Sequence, residues 1–188
     1  MQTPNPDVFE TQCWAYRIIS HPQELLAEGF DYATLGRFRK YIRWALQAAA
    51  ELRICTKEEP GLLMAGFQVI NSVMLAAAAL LEQNEAGGEP LPNLNDPLPS
   101  KLRLLSRKDR ADPYRVFRRF FKHQSPILWK QDLNRALGYA LSRAAVDDTM
   151  NLLPVYWHVT CLMEAVWVVQ ERGKAVAKPA VEVALHSA

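Results

Sequence analysis

Apolar residues in this chain recur every three or four positions through several long stretches, and that spacing predicts helix along most of its length. Leu35, Phe38, Ile42, Ala45, Ala49 and Leu52 fall on one face of a segment expected to run from Thr34 to Cys55. Tyr41, Trp44 and Leu46 widen that face, so this helix is expected to pack on more than one side. The next segment opens at Thr56-Lys57-Glu58-Glu59, which has capping-box spacing, and carries Pro60 in its first turn, where a missing amide costs nothing. It runs to about Gln83 and is the most apolar stretch of the chain. Leu63, Gly66, Ile70, Val73, Ala77 and Leu80 make one seam, while Leu62, Phe67, Val69, Met74 and Leu81 occupy other sides. Gly66 and Ala76–Ala79 leave room for close neighbours, so this helix is expected at the centre of the fold.

The flanking segments follow the same logic. Phe9, Cys13, Tyr16 and Ile19 predict a first helix over Val8–Ile19, and Gln23–Glu28 reads as a short turn of helix stopped by Gly29. Asn84–Ser100, with Gly87-Gly88 and four prolines, is a crossover dividing two helical halves. Lys101–Arg110 reads as a short helix anchored by Leu102, Leu104 and Leu105. Asp112-Pro113 and Ser125-Pro126 each have the form of an N-cap followed by a first-turn proline. They start helices to about His123 and about Val146, the second with Leu133, Leu137, Ala140, Leu141 and Ala144 inward and ended by Asp147-Asp148. The last long helix opens at Asn151–Pro154, carries an apolar set that includes Leu153, Trp157, Cys161, Ala165 and Val168, and is expected to stop at Arg172-Gly173, leaving Lys174–Ala188 as a loose tail. No hairpin chemistry and no repeat is visible. The expected fold is all-α: a single helical domain over residues 1–188, a bundle of four long helices with short N-terminal and crossover helices.

Composition adds little to this. A 49% hydrophobic and 22% charged chain is ordinary for a globular protein. Cys13, Cys55 and Cys161 are odd in number, far apart and set in apolar helical contexts, which fits reduced, buried thiols in a cytoplasmic protein. The stretch Met1–Asp7 has neither the basic nor the apolar region of a signal peptide. Leu62–Leu81 approaches the length of a membrane span, but Gly66, Gln68, Asn71 and Ser72 interrupt it. It reads as a buried core helix, and no membrane partner is expected.

Charge changes the picture more. Between Lys101 and Arg135 stand eleven cations (Lys101, Arg103, Arg107, Lys108, Arg110, Arg115, Arg118, Arg119, Lys122, Lys130 and Arg135) against Asp109, Asp112 and Asp132, a local charge of +8. The whole chain is only +2, so the remainder sums to −6. Arg37, Arg39, Lys40 and Arg43 form a second group in the first turns of a helix, where cations oppose the helix dipole. A charge set that breaks a local rule points to a reason outside that helix. Seven of the eleven cations are arginine, which suits bidentate phosphate contact, and Tyr114, Phe117, Phe120, Phe121 and Trp129 lie among them, as in surfaces that stack bases. The same aromatics at helical spacing also fit core anchors, and the same cations fit a bundle surface paired with the acids elsewhere.

Candidate chemistry is sparse. No glycine-rich phosphate loop and no strained nucleophile turn is present. His158, Cys161 and Glu164 share one helix, but a metal-binding bundle needs inward carboxylates on facing helices too, and the central helix supplies none. His158 is expected as a buried, hydrogen-bonded residue beside a structural Cys161, and neither metal nor cofactor is expected. Arg118-Arg119-Phe120-Phe121-Lys122-His123 contains an Arg-x4-His. In a helical chain this resembles the R-x4–6-H motif of HEPN domains, many of which are metal-independent ribonucleases acting as dimers. The resemblance implies a composite site in which Arg118 stabilises developing phosphorane charge and His123 moves a proton or holds the 2′-hydroxyl. The polar residue that often follows the family's arginine is here Arg119.

Three readings stand on these residues. The first is a non-enzymatic protein binding RNA or DNA phosphates through Arg103, Arg107, Lys108, Arg110, Arg115, Arg118, Arg119, Lys122 and Lys130, joined by Arg37, Arg39, Lys40 and Arg43. The second is a HEPN-like ribonuclease acting through Arg118 and His123. The third is an adaptor for an acidic protein partner, with a homodimer compatible with any of them.

Overall fold

The computed structural model describes residues 7–87, 102–144 and 150–185, with side chains to Lys174. The described residues form eight helices: α1 (Gln12–Ala15), α2 (Pro22–Tyr32), α3 (Leu35–Ala50), α4 (Pro60–Glu85), α5 (Arg107–Ala111), α6 (Tyr114–His123), α7 (Pro126–Leu141) and α8 (Leu152–Leu185). The four longest are α3, α4, α7 and α8, the expected bundle. α3 lies against α7 and α8, and α4 packs between α2 and α7 while touching α3, α6 and α8. Phe38, Phe67, Ile70, Met74, Leu133, Leu162 and Val166 fill the interior between them. α4 and the Leu152–Lys174 part of α8 have the length and hydropathy of membrane spans. Burial of most of both within the bundle accounts for that apolarity.

Close approach to α4 depends on glycine at two places. A Cβ on Gly66 would lie 2.5 Å from the Tyr41 ring, and one on Gly29 would lie 3.1 Å from a Val73 methyl. Gly29 is therefore a packing residue inside α2 and not the stop expected there. Between α4 and α7, Asn71 donates to the Asn134 side-chain carbonyl at 3.2 Å.

Several helix ends differ from expectation, and local polar bonds explain most of them. Only four residues of Val8–Ile19 are helical, because Asp7 and Thr11 take the backbone elsewhere. The Asp7 carboxylate accepts from the amides of Thr11 (2.9 Å) and Gln12 (2.7 Å). The Thr11 hydroxyl joins Arg17 O and Ile19 N. Tyr16 closes α1 in the left-handed conformation (φ 56°) and is 90% exposed. Cys13, expected inward, is exposed as well, and Trp14 takes the inward place, its indole donating to Ser72 Oγ at 2.9 Å. α3 stops at Ala50, and Leu52 (φ 52°) turns outward. The Cys55 amide then bonds Ala140 O on α7 at 2.7 Å.

The capping box at Thr56–Glu59 does not form; Glu59 is itself the N-cap of α4, without a side-chain bond, and Glu58 turns to Arg37. Ser106 caps α5 instead, its hydroxyl accepting from the Asp109 amide (3.1 Å) and donating to the Asp109 carboxylate (2.8 Å). Residues 102–106 are consequently a non-helical connector. Asp112 caps nothing by side chain, and Pro113 precedes α6 directly. Ser125 caps α7 as expected, accepting from Leu128 N, but that helix ends at Leu141. α8 runs through Arg172-Gly173 to Leu185, where a stop and a loose tail are expected. Arg172 is buried and donates to Ala111 O (3.0 Å) and Arg110 O (2.6 Å), so its charge serves the carbonyl end of α5 rather than its own helix. Lys101, most of the 84–100 crossover and the Asp147-Asp148 break lie outside the described residues.

A candidate anion-binding cleft

α3 begins at Thr34, whose hydroxyl accepts from the Arg37 amide. Its first two turns put Arg37, Lys40 and Arg43 on the outer side and Arg39 toward α8. Tyr156, Thr160 and Glu164 recur every four residues along α8 and so share one face opposite it. The connector brings Arg103 and Leu104 across the gap. Between them lies a cleft of about 390 Å3 lined by Arg37, Arg39, Lys40, Arg43 and Arg103, with Glu164 as the one acid among the described residues of its wall.

Glu164 is fully buried, and its carboxylate is saturated from inside the protein. One oxygen accepts from the Arg39 guanidinium and from Arg103 N at 3.1 Å; the other accepts from the amides of Arg103 (3.2 Å), Leu104 (3.0 Å) and Leu105 (3.2 Å). Three successive backbone amides converging on one anion form a nest, the main-chain device that also binds phosphate. Here its occupant is an internal carboxylate, so the negative charge in the cleft is already committed. Glu58 takes the end of the Arg37 guanidinium, which lies 5.2 Å from the centre of the Tyr41 ring. A hydrogen bond from Arg37 Nε to the Tyr41 hydroxyl (3.1 Å) raises the Arg37 pKa further above its ordinary value. Lys40 lies over the Trp44 ring, and Lys40, Arg43 and Arg103 have no carboxylate partner among the described residues. The Thr160 hydroxyl, also on the cleft wall, is buried and has no hydrogen-bond partner.

The cations of the 101–135 stretch are distributed differently. Arg115 and Arg119 both face the buried Asp109 (3.7 and 3.4 Å), and Arg118 pairs with Asp112 at 2.7 Å. Lys130 pairs with Glu10, and Arg135 with Asp132 at 3.7 Å. Arg107, Lys108 and Lys122 are exposed and Arg110 is half-buried, none of them on the cleft wall. Among the described residues of this stretch, only Arg103 joins the Arg37–Arg43 group. The aromatics offered as base-stacking surfaces are core instead: Tyr114, Phe117, Phe120 and Trp129 are buried, and Phe121 is half-buried. Trp129 stacks on Phe120 with ring centres 4.4 Å apart and donates to Phe120 O.

His123, at the end of α6, stacks on His158 of α8, with ring centres 4.4 Å apart and Trp129 beside both. Arg118 is engaged with Asp112 toward the other end of the same helix. His158 is half-buried rather than buried, and among the described residues it is held by ring contact rather than by the expected hydrogen bond. Burial, then His123 and Arg119, push its pKa below the ordinary histidine value. Burial and the charge of Glu164 push the buried Cys161 thiol up to about 11.

Fold and cleft together define an all-helical bundle with a cation-lined groove between its first and last long helices. Comparison with known protein families, with curated proteins and with solved structures returned no match to this chain.

Proposed function

We propose that this chain is a non-enzymatic nucleic-acid-binding protein whose cleft between α3, the 102–106 connector and α8 holds backbone phosphates of RNA or DNA. One observation carries the reading. Lys40, Arg43 and Arg103, from segments some sixty residues apart, converge on one groove, and the one carboxylate among the described residues of its wall is locked into Arg39 and three amides. Cations gathered without neutralising acids form a standing positive potential, and a low-dielectric groove focuses it on an incoming anion. The partnerless Thr160 hydroxyl adds a donor for a phosphate oxygen. Arg118 and Arg119 contribute less, because each already faces an aspartate.

The test is fluorescence anisotropy with single-stranded RNA and DNA oligonucleotides across a salt series. Binding is expected to weaken linearly in log salt, and each of Lys40→Glu, Arg43→Glu and Arg103→Glu to lower the slope by about one phosphate contact. Arg118→Glu is expected to change it little. Undetectable binding of both polymers at low salt, or equal losses from Arg118→Glu and Arg43→Glu, overturns the proposal.

A further inference from the structure

The cleft continues along α8 into a second lobe of about 440 Å3, which shares Thr34, Gly36, Arg39 and Arg103 with the first and extends to Phe30, Trp167, Gln170 and the Glu171–Lys174 ion pair (3.4 Å). Its chemistry is different. Gln170 is 7% exposed, yet neither the nitrogen nor the oxygen of its amide has a hydrogen-bond partner. Buried amides are almost always paired, because leaving both groups unpaired forfeits their hydration for nothing. Glu164, one and a half turns earlier on the same helix, has every oxygen satisfied. Among the described residues of α8 the unpaired buried polar atoms belong to Thr160 and Gln170, and each of these lines one lobe of the cleft, where a ligand supplies the missing groups. Beside the amide stand two aromatic side chains, the buried Trp167 and the half-buried Phe30. Each lobe is of small-molecule size.

We infer that the second lobe receives a nucleobase, so that the whole cleft takes one nucleotide unit: phosphate at Lys40, Arg43 and Arg103, base edge on the Gln170 amide. The inference rests on the reading of the first lobe as a phosphate site. A glutamine amide presents a donor beside an acceptor, the complement of an adenine edge with its amino group beside N7. The terminal torsion of glutamine is broad, so a small rotation turns the pair toward the lobe. Phe30 and Trp167 supply flat apolar surface for the ring. The same unit could come from a free nucleotide or from a strand.

The experiment compares, on the full chain, an oligoadenylate, a phosphodiester strand of equal length without bases, AMP and inorganic phosphate. The wild type is expected to prefer the oligoadenylate over the abasic strand about tenfold, the scale of one well-made amide–base pair. Gln170→Leu is expected to erase that preference and leave abasic binding unchanged. It should melt no lower than wild type, since it removes an unpaired buried amide. AMP binding as tightly as the strand assigns the site to free nucleotides, and weaker AMP binding assigns it to nucleic acid; each supports the base lobe. Equal wild-type affinity for the base-bearing and abasic strands overturns it while sparing the phosphate reading, as does a preference that survives Gln170→Leu. Failure of all four probes to bind overturns both.

Discussion

Glu164 on α8 and Arg39 on α3, 125 residues apart in sequence, close a buried ion pair whose carboxylate also gathers three consecutive backbone amides. It joins the first and last long helices to the connector between them, and it sets the floor of the cleft. Replacing Glu164 by Gln keeps the shape but removes the charge, and it turns an amide donor toward backbone N–H groups. Leaving Arg39 without its anion in a buried setting is expected to cost about 3–5 kcal/mol. Chemical denaturation of Glu164→Gln measures this; a loss near zero means the pair does not hold the fold.

Gly66 governs the cleft from a distance. Its missing side chain admits the Tyr41 ring, and the Tyr41 hydroxyl holds Arg37. Gly66→Ala forces the ring to move, and overpacking of this kind is expected to cost about 1–3 kcal/mol. The double variant Gly66→Ala/Tyr41→Leu should recover part of that loss in thermal melting, because the clash partner is gone.

The stacked His123 and His158 predict a pH dependence. Burial, His123 and Arg119 hold the folded His158 below the ordinary histidine value of about 6.5, so the unfolded chain binds that proton more readily. Its contribution to stability is complete above about pH 6.5 and is lost as pH falls through the lower folded value. The melting temperature should therefore drop between about pH 7 and pH 5, and His158→Gln should flatten that drop. An unchanged slope in the variant excludes His158 as its source.

The three thiols should separate by accessibility. Cys13 is exposed, though burial of its sulfur and the nearby Glu10 and Asp7 raise its pKa. Cys55 and Cys161 are buried, with Cys161 at about 11. A chromogenic disulfide reagent at neutral pH should titrate one thiol in the native protein and all three in denaturant. Cys13→Ser should remove the native reaction entirely; a remaining fast thiol would show that a core helix opens.

The long helices were legible because three- and four-residue spacing is a direct record of burial: Leu35 to Ala49 in α3 and Leu63 to Leu80 in α4 point where their periodicity says. Ser125-Pro126 was legible because its capping chemistry lies within four residues. Ends decided by contacts elsewhere were not. Thr56-x-x-Glu59 has the right spacing, but α4 starts so late that Glu59 is itself the N-cap, while Arg172 looks like a local terminator and instead caps a helix some sixty residues away. The cleft was half legible. Arg37–Arg43 announced themselves by opposing the dipole of their own helix, and Arg103 lay within the basic stretch. Nothing local distinguishes Arg103 from Arg118, since what separates them is which one finds an aspartate in space. Glu164 stood out only as a possible metal ligand, and Gln170 was one polar residue in an apolar run, with no sign that its amide is unpaired.

The nest around Glu164 grips the connector by its main chain, and main-chain amides are the same whatever residues carry them. The exposed side chain at 103 is thereby released from the task of holding the segment in place. Arg103 can be exchanged for lysine, glutamine or an acid while the path of the backbone is kept, so the charge of the groove and the stability of the bundle can vary independently of one another.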